Sequence, residues 1–252
     1  MQINNFTDVK SLFLENKTLR QTLFKNTFWL AAAEGITKIL KLVLLIYVAR
    51  ILGATEYGKF SFAFAFVGLF TVFLTLGLPP IIIRELSREK EKEKDFLSLL
   101  SLRILLSFGT LILIFIGSFF ITLDPLVRNI IWILALYTIL DSFAGFLNHF
   151  FRARQKMEYE SWGKIFRTIL LTGFGLFILF IFPSVENLSY SYLFAALISL
   201  IFILLFFHLK ALPLKLSWNK IIRQRYLFMS WPIALSGIFV VIYGQADSVI
   251  MG

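Results

Sequence analysis

Residues 96–121, FLSLLSLRILLSFGTLILIFIGSFFI, hold a single charged side chain, Arg103, within an otherwise apolar run. A helix needs about 20 such residues to cross the hydrocarbon core of a bilayer. Comparable runs begin near Asn26, Gly58, Asn129, Gly163 and Leu188, and a seventh begins near Leu227, where the sequence stops. Hydrophobic residues make up 58% of the chain and mean hydropathy is +0.81. No water-soluble core could absorb that much Leu, Ile, Val and Phe. The expected fold is an all-α polytopic membrane protein, and its function must lie in the few polar groups it holds in lipid.

Thirty phenylalanines and no cysteines exclude disulfide frameworks and cysteine-ligated metal sites. The polar start, MQINNFTDVKSLFLENK, is followed by an apolar run too late and too long for a cleavable signal, so the first span is retained. A formal charge of +10 suggests nucleic acid until its distribution is considered. Lys10, Lys17, Arg20 and Lys25 precede the first span, and Arg84, Arg88, Lys90, Lys92 and Lys94 follow the second. Arg152, Arg154 and Lys156 follow the fourth, and Lys210, Lys215, Lys220, Arg223 and Arg225 follow the sixth. The alternate loops hold little beyond Arg50, Lys59 and Arg128. Excess Lys and Arg marks the cytoplasmic side. The expected placement is therefore the inner (plasma) membrane, multi-pass, with a cytoplasmic N-terminus and no nucleic-acid partner.

Short polar links, GATEYG, TLDPLVR and PSVENLSYS, join the spans on the outer side. On the inner side, RELSREKEKEKD has the alternating charge of a solvated helix, and KALPLKLSWNKIIRQR suggests a basic interfacial segment. Pro79-Pro80 must bend or end the second span. WLAAAEGI from Trp29 and WPIALSGI from Trp231 match at four of eight positions, as a second repeat starting after six helices would. The expected organisation is a segment over 1–25, a six-helix lobe over 26–225, and over 226–252 the first helix of a second lobe that the sequence does not reach.

A charge at the bilayer centre costs about 2.5–3.5 kcal/mol on insertion scales, so such charges face protein or water. The first span carries Glu34, Lys38 and Lys41 on one helical stripe. At about 1.5 Å per residue from Asn26, Lys38 lies roughly 18 Å deep. In the fourth span Asp141, Gly145, Asn148 and Arg152 share a face, with Asp141 at similar depth, so Asp141 is expected to face Lys38 and Lys41 across a cavity. Arg103, Lys164 and Arg167 either extend a basic wall or snorkel to the interface, and snorkelling is the leading reading for Arg103 and Lys164. Asp247, near the outer end of the last run, is a polar cap or part of a coupling site. GATEYGKF mimics a phosphate-binding loop, but Phe60 stands where Ser or Thr should follow Lys59, and no strand precedes it. His149 and His208 lack partners at metal-ligand spacing and are expected to be polar interface residues. No constellation suggests catalysis, and no cofactor or metal is implied.

The segments ARILGATEYGKF and LGLPPIIIREL, with FFRARQKMEY after the fourth span and QADSVIMG in the seventh, resemble the Wzx-like oligosaccharide flippases. These belong to the superfamily that also holds the MATE drug exporters and lipid II flippases. The resemblance covers the whole chain but only the first half of such a protein. It implies two six-helix lobes around a cavity that opens alternately to either side, and a polyprenyl-pyrophosphate-linked glycan as substrate. It further implies the lipid bilayer, a glycan polymerase and glycosyltransferases as partners. On that basis Lys38, Lys41, Arg103 and Asn148 are the substrate-binding candidates, while Glu34, Asp141 and Asp247 tune charge or couple ions. A MATE-type cation/drug antiporter would present an acidic cavity instead, and a lipid II flippase shares the basic chemistry. A membrane-embedded glycosyltransferase needs a sizeable outer loop, and the three outer links are short.

Overall fold

A computed structural model describes residues 18–89, 93–211 and 217–250, with side chains for all of these except 94, 241–242 and 244–250. Lys10, Lys17, Lys90, Lys92 and Lys215, and the side chains of Lys94 and Asp247, lie outside the described residues. The described chain is helical: α1 Leu19–Leu69, α2 Thr71–Thr75, α3 Leu78–Arg88, α4 Glu93–Ile121, α5 Pro125–Ala153, α6 Met157–Ile181, α7 Val185–Lys210 and α8 Lys220–Ile250. Helices α4 to α7 are each long and apolar enough to cross a membrane, and α1 with α2–α3 passes as a bent pair. Side chains such as Phe108, Phe120, Phe177, Phe194 and Leu205 stand exposed on this belt, as a hydrocarbon-facing surface requires.

Local chemistry sets the helix ends. Thr18 caps α1 by accepting from the Gln21 amide, so the first helix begins before the expected boundary at 26. Asp124 caps α5 by accepting from the Leu126 amide at 2.9 Å, and Pro125, which has no amide to lose, occupies the first turn. Asn219 accepts from Ile221 and Ile222 and starts α8 ahead of the expected 226. An unbroken helix of α1's length would run about 75 Å, far beyond a bilayer core. Gly53 interrupts it at φ 75°, ψ 173°, a conformation strained for any residue with a Cβ. Leu44 and Val48 before it then share one core with Phe60 and Phe66 after it, so the first two expected spans are the two limbs of α1.

The second limb breaks before Pro79-Pro80. Leu76 and Gly77 take left-handed φ values of 42° and 68°, and the prolines open α3 instead of ending a helix. At Gly77 a Cβ would lie 2.7 Å from the Ser230 oxygen and the Ala234 nitrogen, so α8 crosses the break in backbone contact. Helix α8 also packs on α1, α3 and α4.

Among the described residues two apolar clusters stack along the helices. One gathers Leu44, Phe60, Phe66, Ile114, Leu134 and Leu171 towards the Gly53 end. The other gathers Ile82, Phe96, Leu99, Leu147, Phe150 and Phe207 towards the end rich in Lys and Arg, called the basic end below. On α5 the first cluster stops at Ala135 and the second resumes at Ala144. Between them lie Tyr137, Thr138, Asp141 and Ser142, a polar layer in the middle of the lobe.

Candidate functional site

The site grows from four helices, α1, α5, α6 and α7. Helix α1 packs most extensively on α6, and α5 on α7. The Thr172 hydroxyl donates to the Leu40 carbonyl at 3.4 Å and ties α6 to α1 beside the lysines. Lys164, Arg167 and Leu171 recur at helical spacing on α6, so they line one stripe between α1 and α5.

This stripe decides the ion pairs. Glu34 pairs with Lys164, across from α1 to α6, and not with its i,i+4 neighbour Lys38. Arg167 pairs with Asp141. Asp141, expected opposite the first-span lysines, lies within electrostatic reach of Lys41, and its ion-pair partner is Arg167 from α6. Arg103 is only 2% exposed and donates to Ser142, so it does not snorkel. Lys164 is partly exposed and engages Glu34, itself half exposed. Asn148 lies beside Gly163, Lys164 and Arg167, with its Oδ1 unpartnered among the described residues, and not with Lys38 and Lys41. Asp247 cannot join this account, since its side chain is outside the described residues.

Lys38 and Lys41 line a cavity of about 490 Å3. Tyr57, Phe60 and Phe64 from the second limb of α1, Tyr137 from α5 and Tyr192 from α7 face them. The rings interlock: Phe60 and Tyr192 stand at 5.4 Å, Tyr137 and Tyr192 at 5.3 Å, and Phe64 and Tyr137 at 6.2 Å between centroids. The wall is therefore aromatic towards the Gly53 end and cationic beside the polar layer. Lys41 lies within electrostatic reach of Arg167, Asp141, Glu34 and Lys164, and Lys38 within reach of Glu34. Among the described residues neither lysine has an ion-pair or hydrogen-bond partner, because both nearby carboxylates are held from α6.

A separate cavity of about 210 Å3 is lined by Thr75, Arg103, Asp141, Ser142, His149 and Arg167 among others. His149 belongs here, half-buried, and not at an interface. Its sequence signal was nil, a single histidine near a span end. The tyrosine wall escaped notice as well, since aromatic residues are spread through every span. Arg167 was visible as an intramembrane charge, but nothing local linked it to Asp141. Among the described residues no group of His, Cys, Asp or Glu could hold a metal ion.

The family described as polysaccharide biosynthesis protein matches residues 23–252. No protein of curated function matches the chain. Among solved structures the chain is similar to a MATE in complex with MaD5, at 16% identity and TM-score 0.68, over 86% of this chain and 53% of that one. It is also similar to a MOP superfamily transporter from Pyrococcus furiosus, described as having a binding pocket of reverse polarity that suggests a different function. That match has 14% identity and TM-score 0.66, over 95% and 59% of the two chains. A multidrug resistance MATE family transporter in an outward-facing conformation matches at 16% identity and TM-score 0.59, over 86% and 52%. At these identities the likeness concerns the fold, and the chain spans a little over half the length of each.

Proposed function

Because the chain belongs to the polysaccharide biosynthesis protein family, we propose that it forms one lobe of a flippase. This flippase moves a polyprenyl-diphosphate-linked oligosaccharide across the plasma membrane by alternating access. The observation that carries the reading is the pair Lys38 and Lys41, facing a cavity at mid-depth while Glu34 and Asp141 are already matched. Holding two cations there is costly, and a diphosphate passing through low dielectric is the ligand that offsets the cost. The aromatic wall of Tyr57, Phe60, Tyr137 and Tyr192 suits the sugars, since aromatic faces pack on apolar C–H surfaces while tyrosine hydroxyls bond to polar groups. The lipid tail stays in the bilayer. Alternation requires a second lobe that rocks against this one. The glycan polymerase and glycosyltransferases that make and use such a substrate are the partners this reading implies.

The test is glycan display by cells expressing the full-length protein in place of their own exporter. Lys38→Gln with Lys41→Gln is expected to abolish display at normal membrane abundance. Undiminished display by the double variant overturns the reading. Lost display of glycan with retained export of cationic drugs favours the antiporter instead.

A further inference from the structure

Between α4 and α5, outside the lysine cavity, lies a recess of about 290 Å3 lined by Leu111, Ile112, Phe115, Trp132, Ala135 and Leu136 among others. Ile112, Phe115 and Leu136 stand exposed on its rim, so it opens on the belt that meets hydrocarbon. Trp132 carries the one polar side-chain atom of the lining, and its indole N–H donates to the Ser118 hydroxyl at 3.0 Å. The recess therefore offers apolar contact alone. An apolar cavity of about 150 Å3 already stays dry and takes up a hydrocarbon. A cation stands at the head of this recess. Arg128, Trp132 and Leu136 recur every four residues on α5, so they share a face and span about 12 Å. The Arg128 guanidinium lies 4.7 Å over the Phe119 ring, which meets Phe115 at 5.2 Å and Trp132 at 6.1 Å. One terminal nitrogen donates to the Thr122 carbonyl at 3.2 Å, and Nε is sealed. Arg128 as a whole is partly exposed, and its other terminal nitrogen is neither sealed nor hydrogen-bonded among the described residues. The carboxylates of this end are committed elsewhere: Asp124 caps α5, and Glu186 accepts from Asn129 at 3.0 Å.

We infer that this recess holds one acyl chain of an anionic phospholipid, with the lipid phosphate at the free edge of Arg128. The two parts fit one molecule. An acyl chain enters a dry recess from the hydrocarbon side, and the headgroup sits about one helical turn beyond Trp132. Phosphate accepts charge-assisted hydrogen bonds from a guanidinium. Stacking on Phe119 holds that guanidinium in one orientation, so little freedom is lost when the anion arrives. An empty recess would leave its lining atoms without van der Waals partners. A chain wedged there touches both helices, so its occupancy ties α4 to α5 at the Gly53 end. The site uses neither Lys38 nor Lys41 and does not rest on the transport reading.

The experiment uses the purified full-length protein in detergent and reads lipid binding without transport. Native mass spectrometry and thermal unfolding are followed against phosphatidylglycerol and phosphatidylcholine with the same chains. Phosphatidylglycerol is expected to bind about tenfold tighter, and to raise the melting temperature by about 2–4 °C at tenfold above Kd. Glycerol phosphate, an anionic headgroup without chains, is expected to give no shift. Arg128→Gln is expected to erase the headgroup preference while leaving chain binding. Leu136→Trp, which fills the recess from its rim, is expected to weaken both lipids about tenfold. If Arg128→Gln does not fold, raised ionic strength on the wild type replaces it, and the preference is expected to fall with salt. Equal binding of both lipids by the wild type identifies ordinary boundary lipid and overturns the site. So does a preference unmoved by Arg128→Gln or by salt, an affinity unmoved by Leu136→Trp, or stabilisation by glycerol phosphate alone.

Discussion

At the basic end of the lobe Lys25, Arg152 and Arg154 are each handed a carboxylate, while in the polar layer Lys38 and Lys41 are left over beside a cavity and Arg103 meets only a hydroxyl. Lys25 is fully buried and meets Glu158 at 3.0 Å, in contact though off the hydrogen-bonding angle. Arg152 donates through Nε to Glu160 at 2.9 Å, and Arg154 pairs with Glu93. These contacts staple the starts of α1, α4 and α6 and the end of α5. In the polar layer Glu34 and Asp141 are likewise matched, but Lys38 and Lys41 remain turned to open space. Charge matched within the protein serves architecture, and charge left unmatched beside a cavity serves something that arrives.

The largest expected effect tests the architectural side. Lys25→Ala in the full-length protein strands Glu158 in a buried site and is expected to cost about 3–5 kcal/mol. It should be seen as a lower melting temperature and loss of monodispersity, and Lys25→Met with Glu158→Gln should recover most of it. Wild-type stability in Lys25→Ala would place Glu158 in contact with water and dissolve the contrast. Next comes the cavity: Lys38→Gln and Lys41→Gln are each expected to reduce glycan transport about tenfold, up to about 100-fold together. Their melting curves should not move, because neither lysine holds another group. A melting drop equal to that of Lys25→Ala would make these lysines structural too.

Two smaller effects sharpen the picture. Gly77→Ala places a methyl against the α8 backbone at a positive φ and is expected to cost about 1–3 kcal/mol, read by thermal unfolding. A neutral result would mean that α8 yields at this crossing, and that Pro232 within α8 supplies the give. Glu56→Gln removes the partner of Lys59 at the solvent-facing turn, 2.7 Å away, and is expected to leave both melting and transport unchanged. An effect there would extend the functional charge to the Gly53 end.

The lysines were conspicuous in the sequence because a charge in an apolar run has no ordinary reason to be there, and depth followed from helical rise. Their isolation was not legible. Lys38 is the local partner of Glu34 by spacing, yet Lys164, far along the chain, takes that carboxylate through the packing of α6 on α1. Arg103 looked like a snorkelling residue from its distance to the span end, whereas α5 closes over it and offers Ser142. The tightness of the first link was hidden for the opposite reason: GATEYG reads as a loop, and here the chain is helical on either side of a single interruption at Gly53.

Hydropathy, basic-loop bias and the spacing of intramembrane charges were enough to establish an all-helical membrane protein with a cationic stripe in its first helix, because those properties depend on composition and on a fixed rise per residue. Pairing, by contrast, is settled by which helices touch. Whether a carboxylate neutralises its neighbour on the same helix or a guanidinium from another depends on ångström-scale packing, and no local pattern encodes that distance.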